Sequence, residues 1–227
     1  MKSHFVLLLT AVVAIAGSMA LGQSPTCTPS TLVAKQKRTD MKHRQPASSG
    51  TEVEKTQVDE MLSWDQPDDL QDPDIRSSNS PIHPREESVF QLEGDLWRVA
   101  QEANDCDYHL ELSSSGKSAK ADRIIVEVPQ DDGYGVARDA VLQALTPWDR
   151  TKLENDGEVL LQTPVHLKLT GYAFFDAFHY SPHFSPAHPG KCNFTKAQKL
   201  QRGNGHGTCF VGTLWELHPV WKVTAAQ

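Results

Sequence analysis

The chain has 227 residues, which is long for one small domain and short for two, so we expect one folded unit plus additional chain. Only 38% of its residues are apolar, against roughly 45–50% in an ordinary globular domain. Its 22 Lys and Arg residues and 29 Asp and Glu residues give a net charge of −7, which argues against nucleic acid as a partner. This composition also excludes collagen-like, coiled-coil and multi-span membrane proteins.

The first residues have the pattern of an export signal. Lys2 precedes an apolar run from Phe5 to Ala16, which is too short to span a bilayer comfortably. Ala20 and Gly22 then occupy the small-residue positions of a signal peptidase site. We therefore predict a signal peptide over residues 1–22 and a secreted or periplasmic protein without a transmembrane segment after cleavage. The alternative is an uncleaved membrane anchor.

Disulfides persist outside the cytoplasm, so the four cysteines of an exported chain are candidates for disulfide bonds. Cys192 and Cys209 enclose a long stretch rich in Lys, Gly and Asn, and we predict a disulfide between them. For Cys106 two possibilities stay open: it is a buried thiol or the partner of Cys27. The chain has no C-x-x-C spacing, so its cysteines are not predicted to bind metal.

Residues 23–85 are polar and poor in aromatic and branched side chains. This composition predicts a disordered polar linker. One interruption, residues 58–64, spaces apolar side chains as in a short helix. We expect this helix to dock loosely on the following domain, and partner binding is the alternative.

The folded domain is predicted over residues 86–224 as three strands, one helix and two strands. The strands are predicted at residues 89–100, 106–112, 124–128, 165–175 and 213–223. In the second strand, apolar and polar side chains alternate from Cys106 to Leu112, which is typical of a half-buried antiparallel strand. The helix is predicted over residues 134–145 and ends before Pro147.

This order of elements favours a mainly β fold. We predict a five-stranded OB-like Greek-key barrel with one helix between strands three and four. Gly94 in the first strand suits such a barrel because glycine lets a strand bend or bulge. A β-sandwich is the alternative, but it usually needs about seven strands. We expect a monomer.

Four sequence blocks resemble those of an uncharacterised group of exported bacterial proteins. The blocks are DCDYHL from Asp105, IVEVP from Ile125, TGYAFFD from Thr170 and ELHPV from Glu216. The resemblance covers about residues 89–223 and implies a small OB-like β-barrel, but no activity comes with it. The connection between the last two strands is longer here than the resemblance implies.

Acidic and imidazole side chains stand on the strands that such a barrel would bring together. Asp107 and His109 share one strand face, and so do Glu216 and His218. If the third strand lies beside the last, Glu127 approaches them. The candidate ligand or metal cluster is therefore Asp107, His109, Glu127, Asp176, Glu216 and His218. Oxygen and nitrogen ligands of this kind suit Mg²⁺, Mn²⁺, Ca²⁺ or Zn²⁺. The alternative is a structural polar network without a ligand.

A second group of histidines follows the fourth strand. It consists of His179, His183, His188 and His206. Their spacing matches no zinc motif, and chance enrichment in a solvated loop is the favoured interpretation. The chain also contains no G-x-S-x-G elbow, no H-E-x-x-H pair and no nucleophilic Cys–His signature.

The sequence therefore predicts an exported ligand-binding barrel without a demonstrable catalytic motif. Its ligand is unknown, with a small molecule, a glycan or a peptide as candidates, and such a binder predicts an exposed groove near Trp97, Tyr134 or Trp148. The first alternative is a metal-assisted hydrolase, similar to a phosphodiesterase, that uses the six-residue cluster and a divalent metal. The second alternative is a structural envelope protein. Whether the protein is an enzyme stays open.

Overall fold

The computed structural model describes Cys27 and residues 38–103, 105–179 and 210–225. Its elements in chain order are α1 (Thr39–Lys42), β1 (Val53–Gln57), α2 (Val58–Met61), α3 (Pro73–Ser77), a 3-10 helix (Pro84–Glu87), β2 (Val89–Gln101), β3 (Tyr108–Ser113), β4 (Arg123–Val128), α4 (Gly135–Ala144), α5 (Pro147–Asp156), β5 (Glu158–Phe175), a second 3-10 helix (Ala177–His179) and β6 (Val211–Ala225). No helix among these residues is long and apolar enough to cross a membrane.

Strands β2 to β6 form a closed barrel. They follow one another in the order β2, β3, β4, β6, β5, and β5 closes the barrel by pairing with β2. The β4–β6 pair is parallel, whereas the other barrel pairs are antiparallel. This architecture is the OB-like Greek-key barrel predicted from the order of the elements. It places the third and the last strand of the barrel side by side, as the candidate cluster requires.

Residues 38–85 are folded against the barrel, which corrects the predicted linker over this range. β1 pairs in parallel with the first part of β2, from Val53 opposite Val89 to Gln57 opposite Glu93. The short helix predicted near residue 58 is present as α2, and it packs firmly into the hydrophobic core through Val58 and Met61, together with the nearby side chains of Trp64 and Leu70. A few widely spaced apolar anchors suffice here because the barrel supplies the rest of the core. The signal peptide and the other linker residues, except Cys27, lie outside the described residues.

Strand β3 is buried on both faces, not on one. Tyr108, Leu110 and Leu112 belong to the hydrophobic core, and the intervening His109 and Glu111 are also fully buried. The predicted alternation is therefore present, but its polar face is not solvated. Glu111 pairs with two buried arginines and His109 contacts a buried carboxylate, so charged partners from the barrel itself cover this face, which explains the difference from a half-buried strand.

Two helices connect β4 to β5, where one was predicted. α4 is the predicted helix, and α5 follows it after a short break. Thr146 caps α5 by accepting a hydrogen bond from the Asp149 amide, Pro147 lies in its first turn, and Gly157 ends it with a left-handed φ of 75°. Pro147 therefore follows one helix and begins the next.

A disulfide joins Cys27 to Cys106, with Cα atoms 5.7 Å apart. It answers the question that the sequence left open for Cys106. Such a bond is typical of proteins outside the cytoplasm. The predicted pair of Cys192 and Cys209 lies outside the described residues.

Gly171 allows β5 and β6 to approach closely where their register shifts. A Cβ atom at this position would lie 2.7 Å from the carbonyl oxygen of Pro219 and 2.7 Å from Cγ2 of Val220. Any larger residue must therefore push β6 away. Since β6 carries His218, the glycine also helps to position the candidate site.

We expect Gly171→Ala to lower the free energy of unfolding by about 1–3 kcal/mol, because the added methyl group overpacks the β5–β6 contact. Urea denaturation measures the change as a shift in midpoint at constant slope. Gly135→Ala is the matched control, since a Cβ there meets nothing within 4 Å, and helix propensity predicts equal or slightly higher stability. Equal midpoints for Gly171→Ala and the unchanged protein would contradict this prediction.

Candidate functional site

The candidate site lies on the outer face of β3, β4 and β6. In the antiparallel β3–β4 pairing, His109 is opposite Glu127. In the parallel β4–β6 pairing, Val126 is opposite Leu217, so Glu127 and His218 occupy the next positions. Successive side chains of a strand point to opposite faces. The polar side chains therefore all point outward from the barrel, while their apolar neighbours fill its interior.

Three of these side chains, Asp107, Glu127 and His218, form a group that we call the carboxylate–histidine cluster. One ligand atom from each residue lies within 4.8 Å of the other two. The His218 ring lies between the carboxylates, with Nδ1 2.8 Å from Glu127 Oε2 and Nε2 3.4 Å from Asp107 Oδ2. The exposed fractions of Asp107, Glu127 and His218 are 0%, 3% and 0%. The cluster is therefore buried.

Further polar groups surround the cluster. Lys42 Nζ is 3.2 Å from Glu127 Oε2, and His109 Nδ1 is 3.2 Å from Glu127 Oε1. A carboxylate oxygen of Glu216 lies 3.6 Å from His218 Nδ1. Positive and negative groups thus alternate across the site, so that each buried charge is partly balanced.

These contacts set the protonation states of the two central residues. Burial alone would raise the pKa of Glu127, but Lys42, His218 and His109 outweigh burial and hold this pKa well below its usual value. Burial and Lys42 lower the pKa of His218, but Glu127 and the contact with Asp107 outweigh both and raise it to about 10. In the metal-free protein at neutral pH, Glu127 is therefore anionic and His218 is cationic.

Several buried atoms of the cluster have no hydrogen bond. Asp107 Oδ1 accepts one from the Gln130 amide at 3.1 Å. Asp107 Oδ2 and both ring nitrogens of His218 find no aligned hydrogen-bond partner among the described residues. Leaving buried polar atoms unsatisfied is costly. The contacts of His218 with Glu127 and Asp107, at 2.8 Å and 3.4 Å, offset this cost only in part, because they are ion pairs without hydrogen-bond alignment.

The barrel brings five of the six sequence-predicted residues to one place. Asp107, Glu127 and His218 form the cluster, and His109 and Glu216 border it. The sixth residue, Asp176, contacts His179 at 2.5 Å and is not one of the three cluster residues.

The predicted aromatic groove does not form from the three residues named for it. Trp97 is 7% exposed and donates a hydrogen bond to Ser113, while Tyr134 is fully buried. Only Trp148 of the three is exposed, at 64%. Of the second histidine group, His179 is described, and His183, His188 and His206 lie outside the described residues.

Lys42 is the site residue that the sequence analysis missed. It stands in a polar stretch whose composition predicts a linker, and a lone lysine in such a stretch carries no signal of burial. Two sequence hints indicated that the region around this stretch returns to the barrel: Cys27 as a potential partner for Cys106, and the short helix predicted to dock on the domain.

Comparisons of the chain with protein-family models, with curated proteins and with solved structures gave no match in any of the three. The resemblance to exported bacterial proteins therefore stays a prediction. Function has to be argued from the geometry and chemistry of the site.

Proposed function

We propose that this protein is an exported barrel that binds a divalent transition-metal ion through Asp107, Glu127 and His218. The observation that supports this proposal is the convergence of three ligand atoms within 4.8 Å in a buried site. Buried charges in proteins are paired or coordinate metals. Two carboxylates and an imidazole form a mixed oxygen and nitrogen donor set that suits ions such as Mn²⁺, Fe²⁺ or Zn²⁺.

The size of the site favours an ion over an organic ligand. Ligand atoms that each lie about 2.1 Å from a metal are roughly 3–4 Å from one another. The contacts of His218 with the two carboxylates, at 2.8 Å and 3.4 Å, are close to this range. His218 becomes a ligand when it releases a proton to solvent and turns the freed ring nitrogen toward both carboxylates, so metal binding releases a proton. Glycan, peptide and small-molecule ligands stay predictions from the sequence.

The test is a metal titration of the purified protein and of Asp107→Asn. We expect the unchanged protein to bind a single equivalent of Mn²⁺ or Zn²⁺ and to melt at a higher temperature with the metal, since about a hundredfold excess over Kd stabilises a fold by about 2.7 kcal/mol. Asparagine keeps the acceptor for the Gln130 amide but removes a charged ligand. We expect the variant's metal affinity to be lower by at least about tenfold.

Asp131→Asn is the matched control for this titration. Asp131 is a half-exposed carboxylate that contacts His43, outside the cluster, so its removal should leave metal affinity unchanged. The proposal fails if the purified protein binds none of Mn²⁺, Fe²⁺ and Zn²⁺. It also fails if Asp107→Asn binds metal as tightly as the control.

The two other functions predicted from the sequence gain no specific observation from the described residues. A metal-assisted hydrolase needs a substrate beside the ion, but the three proposed ligands are buried. The structural envelope protein predicts a polar network without metal, so the same titration separates it from the proposal.

A further inference from the structure

Lys42 places a positive charge directly against the carboxylate–histidine cluster. Its Nζ atom lies 3.2 Å from Glu127 Oε2, and the Lys42 side chain is only 8% exposed. The same carboxylate oxygen lies 2.8 Å from His218 Nδ1. The ammonium group therefore contacts an oxygen atom that a bound metal ion would need.

The neighbours of Lys42 hold its backbone in place. On one side, Arg38 pairs with both carboxylate oxygens of Glu86 and donates to the Phe175 carbonyl oxygen at 2.9 Å. On the other side, Arg44 donates to the carbonyl oxygens of Glu86, at 2.5 Å, and of Ala173, at 3.0 Å. Anchors on both sides fix the helix that carries Lys42. The anchored backbone thus positions the ammonium group of Lys42 against Glu127.

We infer that Lys42 is a built-in competing cation that determines which metal ions the site accepts. This inference rests on the proposed function. A divalent ion at Glu127 Oε2 is repelled by the ammonium group 3.2 Å from this oxygen, and it binds favourably only if it pushes that group aside. Mg²⁺ and Ca²⁺ prefer all-oxygen ligand sets and gain little from an imidazole, so they do not displace Lys42. Transition-metal ions bind more tightly to a site with a nitrogen ligand, and their affinity increases toward Cu²⁺ in the Irving–Williams order. These ions therefore displace Lys42.

The test compares the metal selectivity of the full chain with that of Lys42→Met. Methionine keeps an unbranched stem of similar length and removes the charge. The variant lacks the positive charge that lies 3.2 Å from a ligand oxygen and repels a metal cation. We therefore expect the Kd for Mn²⁺ to fall by at least about tenfold. We also expect binding of Mg²⁺ and Ca²⁺ to become measurable. Isothermal titration with each ion alone gives these values, and circular dichroism checks that each variant is folded.

Two control variants isolate the effect of the charge. Lys42→Arg keeps a cation at the same place and should keep the selectivity of the unchanged protein. Lys168→Met removes an exposed lysine that pairs with Glu93 at 2.7 Å, and its metal affinities should not change. Lys42→Gln, which is neutral and can still donate a hydrogen bond to Glu127, gives the same test if Lys42→Met does not fold.

The outcomes separate this inference from the proposed function. Equal Mn²⁺ affinity and equal selectivity in the unchanged protein and a folded neutral variant would overturn the role of Lys42 and leave the metal site standing. Failure of all variants and of the unchanged protein to bind any metal would overturn the proposed function, and the inference with it. The neutral variants are expected to bind Mn²⁺ more tightly and to bind Mg²⁺ measurably, whereas Lys42→Arg and Lys168→Met are not. This result supports both the metal site and the role of Lys42.

Discussion

Replacing Glu86 by alanine is expected to destabilise the protein by about 3–5 kcal/mol, because it leaves a buried charge without its partner. The fully buried Glu86 carboxylate accepts two hydrogen bonds from Arg38, at 2.7 Å and 2.9 Å. It also accepts one each from the amides of Ile82 and Phe175, at 2.7 Å and 2.8 Å. Alanine would leave the guanidinium group of Arg38, whose side chain is only 1% exposed, without its counter-charge.

Urea denaturation measures this loss, and Glu93→Ala is the matched control. Glu93 also pairs with a cation, Lys168, but at the surface, where ion pairs contribute little. A double variant in which both Arg38 and Glu86 are methionine should be less destabilised than Glu86→Ala, since no unpaired charge remains. A loss for Glu86→Ala no larger than that for Glu93→Ala would contradict the prediction.

Glu127→Gln is expected to lose metal binding and stability together. The Glu127 carboxylate contacts Lys42, His109 and His218 within 3.2 Å. A neutral amide no longer balances the charges of Lys42 and His218, so we expect the metal-free variant to lose about 3 kcal/mol or more of its unfolding free energy. We also expect no saturation at metal concentrations that saturate the unchanged protein. Chemical denaturation and metal titration of the same preparation measure both effects.

Glu158→Gln is the matched control for this prediction. Glu158 pairs with Arg98 at 2.7 Å, but its side chain is 51% exposed, so its replacement should change stability little and metal affinity not at all. A Glu127→Gln variant that loses stability but binds metal with unchanged affinity would contradict the assignment of Glu127 as a ligand. It would leave Glu127 as a structural counter-charge.

The barrel could be predicted because its strands carry strong local patterns. The alternation from Cys106 to Leu112 and the apolar run around Ile125 both appear as strands in the structure. Their order then predicted which strands would be neighbours, and this alone brought Glu127 toward His218. The candidate cluster could thus be named without any local motif, because topology and not spacing along the chain gathers its residues.

The folded N-terminal region could not be predicted by the same reasoning. Hydropathy and composition measure how many apolar side chains a segment offers, and residues 38–85 offer few. This region is held by a few apolar side chains in the core, by the pairing of β1 with β2, and by buried ion pairs such as that of Arg38 with Glu86. Charged residues of this kind look like solvated ones in a sequence, since only the folded partner shows that they are buried. Lys42 was missed for the same reason.

The disulfide between Cys27 and Cys106 makes the covalent structure of the protein depend on redox conditions. It closes a loop between positions 79 apart, which restricts the unfolded chain, and Cys106 immediately precedes Asp107 in the sequence. Thiols stay reduced in the cytoplasm and oxidise outside it. Protein prepared with a reducing agent, or expressed in a reducing cytoplasm, therefore lacks the covalent tether beside Asp107. Its behaviour toward metals should not be taken for that of the oxidised chain.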